Sequence, residues 1–181
     1  MPEIALTPTA TRRNLAGKYL TFTLRDESYG IDVMKILEII RHTVITAVPQ
    51  MPAYVRGVIN LRGKIIPVMD LRLRFGFGDI KTSDLTCIIV VQVKLADGGS
   101  NQMGLIVDGV EEVINIGAAD IEETPDFGSA VNTDYILGMA KVKGAVKTLL
   151  DIGCVLTSKL VEHSQPAAHQ KAQGSLTTKN H

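Results

Sequence analysis

The chain of 181 residues has no tryptophan and only two cysteines, Cys87 and Cys154. Two cysteines make no disulfide framework, and neither has a His or a second Cys at metal-ligand spacing. Cys87 heads the apolar run Cys87-Ile88-Ile89-Val90-Val91, and Cys154 lies within Ile152-Gly153-Cys154-Val155-Leu156. Both read as small buried hydrophobes. Aromatic residues are scarce, four Phe and four Tyr. They do not alternate with basic residues, which weighs against a base-stacking surface for single-stranded nucleic acid. An excess of one charge is also missing, with 19 basic against 19 acidic residues. A general nucleic-acid binder usually shows its basic face in that total.

Long apolar runs are absent too. No window approaches the roughly 20 apolar residues that span a membrane. The first 16 residues include Arg12 and Arg13 but lack the apolar core of a signal peptide. The expected location is the cytoplasm, without membrane insertion. Catalytic signatures are missing as well: there is no Walker A run, no Gly-x-Ser-x-Gly and no His-Glu-x-x-His. Glu111-Glu112 and Glu122-Glu123 are adjacent pairs, and neighbours on a strand face opposite sides. They read as solvated charges, not as an acid–base pair. His42, between Arg41 and Thr43, reads as a surface residue, and Asp108-Gly109 as a turn. No enzyme activity, cofactor or metal is expected.

What is present is the composition of a globular protein, 45% hydrophobic and 21% charged. Residues 1–16 read as a flexible arm. Residues 163–181 are small and polar and read as a disordered tail, because they cannot bury enough apolar surface to offset ordering entropy. Between them, 17–162 read as one domain dominated by strands. Tyr19 to Leu24 alternates apolar residues with Thr, Asp26-Glu27-Ser28 turns the chain, and Tyr29-Gly30-Ile31 returns. Leu85 to Leu95 is a second β-branched run, Asp97 to Asn101 a hairpin loop and Met103 to Val107 its return. Helical signals are short. Asp32 to Glu38 spans a turn or two, and Asp70 to Phe75 a brief helix capped by Asp70 and stopped by Gly76. The last, Asp151 to Val161, is the better helix. Short strands with frequent turns predict an all-β sandwich or barrel.

The chain also repeats itself. Val55 to Gly63, running on to Asp70-Leu71, matches Ile136 to Gly144, running on to Asp151-Ile152, at an offset of 81. Gly57 falls on Gly138, Gly63 on Gly144, Asp70 on Asp151, and Arg62 on Lys143. A weaker match at an offset of 74 lays Tyr29-Gly30-Ile31 on Met103-Gly104-Leu105 and Ile36-Leu37-Glu38-Ile39 on Val110-Glu111-Glu112-Val113. Each copy has four or five strands, few enough that the sheet must curl and close to cover its edges. Gly63 and Gly144 then supply turn positions with positive φ. Pro67, which has no N–H to donate, is expected at an edge or bulge.

The run from Val48-Pro49 through Val55-Arg56-Gly57-Val58-Ile59-Asn60-Leu61-Arg62-Gly63 to Pro67-Val68-Met69-Asp70-Leu71-Arg72 resembles the signature of the CheW family of bacterial chemotaxis coupling proteins. Phe22-Thr23-Leu24 with Tyr29-Gly30-Ile31-Asp32 does so too, as does Gly104 to Val110 followed by Val113. The similarity covers about Gly17 to Leu160, with departures confined to the polar tail and the Gly98-Gly99 loop. The resemblance implies two similar five-stranded SH3-like β-barrel subdomains with short helices and a C-terminal helix. The expected division is about 17–80 plus the C-terminal helix against about 85–150. It further implies an adaptor that bridges the cytoplasmic tip of methyl-accepting chemoreceptors to the histidine kinase CheA, through the kinase's CheW-like regulatory domain. Carried over by position, Glu38 and Arg62 form a charged interaction pair, Gly57 and Asn60 share the signature hairpin, and Ile36, Val110 and Val113 line a receptor groove between the barrels. Ile36 and Val110 are expected to face one another across that seam. An adaptor of another pathway, such as pilus motility, fits the same residues. A small-molecule-binding barrel is the remoter alternative.

Overall fold

The structure, a computed structural model, describes residues 14–157 apart from 79, 95–96 and 129–131. Most of the expected arm, the tail and the end of the last helix lie outside the described residues. The strands are β1 Gly17–Leu24, β2 Glu27–Asp32, β3 Ile36–Arg41, β4 Val55–Leu61, β5 Lys64–Asp70, β6 Cys87–Lys94, β7 Ser100–Val107, β8 Gly109–Ile116, β9 Ile121–Glu122, β10 Ile136–Val142 and β11 Ala145–Leu150. Two short helices, α1 Leu71–Arg74 and α2 Ile152–Thr157, follow β5 and β11. The expected turn over Asp32 to Glu38 is shorter than that span. A 3-10 turn covers Val33–Lys35, capped by Asp32, and Ile36 already begins a strand.

The strands form two sheets, in the orders β8-β1-β2-β11-β10-β9 and β3-β6-β7-β5-β4. Each curls until it meets itself. Beyond β3 the chain runs on to Thr46, which exchanges backbone hydrogen bonds of 2.9 Å with Val58 on β4, the far edge. Beyond β8 it runs on to β9, which pairs with β10. The two-residue β9 is thus the counterpart of the single bridge at Thr46, and the sheets are two versions of one five-stranded barrel.

The barrels do not follow the halves of the sequence. One holds β3 to β7 without interruption; the other is split, with β1 and β2 from the start of the chain and β8 to β11 from its later part. The expected division near residue 80 is therefore not where the sheets part. Each copy's leading hairpin joins the other copy's strands through parallel pairing. Gly30 on β2 lies opposite Leu149 on β11, and Gly104 on β7 opposite Val68 on β5. Connection length gives the reason. A single residue, Asp108, links β7 to β8, and an antiparallel return needs a turn of about two residues or more. The chain must run on into the other barrel.

The repeat is visible atom by atom. Both β-hairpins turn through paired positive φ, 54° and 84° at Arg62-Gly63 and 50° and 79° at Lys143-Gly144. Both carry a bulge at the equivalent place, between Val55 and Gly57 and between Ile136 and Gly138. At Gly57, with φ 138°, an added Cβ would lie 1.9 Å from the Thr46 carbonyl oxygen, so a side chain cannot fit where the closing segment crosses. Pro67 lies opposite Val58, whose N–H and C=O are turned to Thr46. No N–H is asked of Pro67 on the β4 side, and the paired residues of β5 and β7 start one residue later, at Val68. Asp70 caps α1 and Asp151 caps α2, their carboxylates accepting from Arg72 N at 3.0 Å and Cys154 N at 3.2 Å.

The barrels share a core. Phe22 and Ile31 from the split barrel, Ile89 and Leu105 from the other, and Leu71 and Ile152 from the two helices belong to one buried cluster. Each barrel also has a small core of its own, built on Ile59, Ile66 and Val68 in one and on Tyr19, Ala140 and Leu149 in the other. Cys87 is buried and Cys154 half-buried, and neither is in a disulfide. Burial pushes the Cys87 thiol pKa up, which keeps it protonated and unreactive.

Candidate partner-binding site

Glu38 stands on β3, and Arg62 forms the tip of the β4–β5 hairpin. Arg62 Nη2 donates to Glu38 Oε2 at 2.8 Å. The guanidinium side chain is 81% exposed, so the pair contributes only about 0–1 kcal/mol to stability. It can be opened toward another molecule at small cost. Asn60 sets the tip from below, its Oδ1 accepting from Gly63 N at 2.9 Å. Gly57 lies deeper, buried at the bulge under Thr46. There it lets the barrel close, since the closing segment leaves no room for a side chain.

Ile36 and Val110 occupy equivalent positions at the starts of β3 and β8. Ile36 lies opposite Val91 and Val110 opposite Phe22, and both pack, half-buried, against the core that the barrels share. Val113 points outward and is 56% exposed. Leu37, Ile39 and Ile65, neighbours in sequence of the Glu38–Arg62 pair and its hairpin tip, are also exposed large apolar residues. Water is a poor solvent for them, and their burial against a partner is favourable by roughly 25 cal/mol per Å².

Around Val113 the structure adds residues that sequence reasoning did not single out as a site. Lys143 Nζ lies 3.8 Å from Glu112 Oε1, at the positions equivalent to Arg62 and Glu38. Val113 and Val146, both exposed, stand where Ile39 and Ile65 stand. The two offsets of the repeat, taken together, contain this pairing. Glu111 also departs from its reading as a solvated charge. Its Oε2 accepts from Lys147 Nζ at 2.7 Å and from Ser28 Oγ at 3.1 Å, and Lys147 is buried. Burial alone would raise the Glu111 pKa, but the hydrogen bonds from Lys147 and Ser28 outweigh it and hold the carboxyl below its usual range. Among the described residues no group of His, Cys, Asp and Glu is arranged to hold a metal.

The CheW-like domain family model matches residues 18–160. The chain belongs to the CheW family. It is 34% identical over 155 residues to the chemotaxis protein CheW of Klebsiella aerogenes, covering 83% of this chain and 90% of that protein. Against the chemotaxis protein CheW of Rhizobium meliloti it is 33% identical over 146 residues, covering 81% and 91%. The crystal structure of the scaffolding protein TtCheW from Thermoanaerobacter tengcongensis superposes with a TM-score of 0.70 at 35% identity, covering 82% of this chain and 97% of that one. The chain is a chemotaxis adaptor with the CheW fold. No described helix is long and apolar enough to cross a membrane.

Proposed function

We propose that the chain couples methyl-accepting chemoreceptors to the histidine kinase CheA and helps assemble them into arrays, without catalysing a reaction. The observation that carries this reading is the exposed Arg62–Glu38 pair with exposed Leu37, Ile39 and Ile65 beside it in sequence. Apolar area supplies affinity, and an exposed charge pair selects orientation and partner. Ile36, Val110 and Val113 line the receptor side, where β3 and β8 leave the shared core. The regulatory domain of CheA, itself CheW-like, is the second partner. The chain works in the cytoplasm and reaches the membrane through these partners. Co-sedimentation with receptor-containing membranes, with and without CheA, tests the proposal. The chain is expected in the pellet with receptor and to carry more CheA there. A chain that stays in the supernatant in both cases overturns the reading.

A further inference from the structure

Among the described residues the chain passes between the barrels at two points, the turn Val33–Lys35 and the single residue Asp108. At Asp108 it is held from both sides. Asp108 Oδ1 accepts from Arg72 Nη1 at 2.9 Å, and Arg72 belongs to α1, which follows β5 of the uninterrupted barrel. Asp108 Oδ2 accepts from the Arg25 backbone N–H at 2.6 Å, in the β1–β2 turn of the split barrel. The Asp108 N–H donates to Thr23 O on β1 at 3.0 Å. One carboxylate thus has an oxygen on each barrel.

The arm that grips it is rigid. Arg72 is 2% exposed and Asp70 fully buried. Arg72 Nε and Nη2 form a two-pronged contact with Asp70 at 3.0 and 2.8 Å, and Nη1 also donates to Lys81 O at 2.9 Å. A planar guanidinium fixed at three points presents the second N–H of Nη1 in one direction, toward Asp108.

The equivalent place on the other side of the internal symmetry has no such grip. Asp151 stands for Asp70, but Gly153 stands for Arg72. A cleft of about 300 Å³ opens there, between the crossing at Asp32 and Lys35 and the start of α2 at Asp151 and Ile152.

We propose that Arg72 and Asp108 form a one-sided clasp that sets the angle between the barrels, making Asp108 a positioning residue for the docking face on β8. The shared core holds the barrels together, and the clasp decides how they are turned. β8 begins at the next residue, so Val110 and Val113 take their direction from where Asp108 is pinned. The docking consequence rests on the adaptor reading above; the geometric one does not.

Residual dipolar couplings of the full chain, fitted to each barrel separately, test the geometry. In Asp108→Ala, each barrel is expected to keep its own couplings while the orientation between them changes and broadens. Asp108→Asn, which keeps one acceptor oxygen, is expected to change it less. Couplings of Asp108→Ala that fit the wild-type orientation overturn the proposal. So does loss of the folded spectrum in both variants, because the pair would then be needed for folding and not for orientation. Receptor co-sedimentation is expected to fall several-fold in Asp108→Ala; unchanged sedimentation alongside a changed angle removes the positioning role. If wild-type chain does not sediment, the adaptor reading fails while the orientation result stands.

Discussion

Lys147 occupies the position in the split barrel that Ile66 fills in the other, and Glu111 the position of Leu37. The structure therefore contains its own design for replacing this ion pair. The perturbation is a cycle of Glu111→Leu, Lys147→Ile and both together. Glu111→Leu leaves an ammonium whose side chain is 10% exposed, with the Ser28 hydroxyl at 3.0 Å in place of a counter-charge. Breaking a buried pair this way costs about 3–5 kcal/mol, which lowers Tm by roughly 6–20 °C in a domain of this size. Lys147→Ile is milder, about 2–3 kcal/mol, because the Glu111 side chain is 31% exposed and water can replace part of the lost contact. The double variant removes both charges and is expected to be neutral or more stable than wild type by about 1 kcal/mol. The chain has no tryptophan, so urea unfolding followed by far-ultraviolet circular dichroism is the assay. If the double variant loses the sum of the two single losses to within about 0.5 kcal/mol, the residues are not coupled and the reasoning is refuted. Acid adds a second check. The Glu111 carboxyl is held below its unfolded value, so its contribution is present above the ordinary Glu range and is lost as pH falls through the depressed folded value. The stability of wild type relative to the double variant must fall on acidification; a rise contradicts the assignment.

Gly57→Ala is expected to cost at least about 2 kcal/mol, from its strained φ and the collision with Thr46. Gly138→Ala costs less, since there an added Cβ meets the Glu122 carbonyl oxygen at 2.9 Å without positive φ; equal losses in urea unfolding contradict this. Arg62→Glu should shift stability by less than about 1 kcal/mol yet weaken pull-down of receptor and CheA, and unchanged pull-down removes Arg62 from the interface. Val110→Asp should abolish receptor binding with a cooperative thermal transition retained; loss of that transition makes Val110 a core residue.

The repeat in the sequence carried much of the fold. Gly63 and Gly144 as turn residues, and Asp70 and Asp151 as helix caps, need only local chemistry and were legible as such. The exchange of leading hairpins was not. Equivalent hairpins present equivalent edges, so β2 pairs as well with the other copy's strand as with its own, and only the one-residue link at Asp108 decides. The pairing of Glu38 with Arg62 followed from family resemblance, not from spacing. The burial of Lys147 was hidden because a lone Lys between Val146 and Thr148 breaks no periodic pattern. Only its alignment with Ile66 marks the place as interior.

The uninterrupted barrel has a consequence for how the chain is made. All of its strands leave the ribosome in one stretch, Ile36 to Val107, and it can close as soon as that stretch has emerged. The hairpin of β1 and β2 is made first but completed last, because its partners β8 and β11 are still unmade. At about 5–20 residues per second the wait from Asp32 to Leu150 is roughly 6–24 s. Over the last part of that wait, from Val107 to Leu150 and roughly 2–9 s, the nascent chain carries a finished barrel beside an open hairpin with apolar residues such as Phe22 and Ile31 uncovered. Holding that hairpin against the finished barrel is then the step most in need of a chaperone.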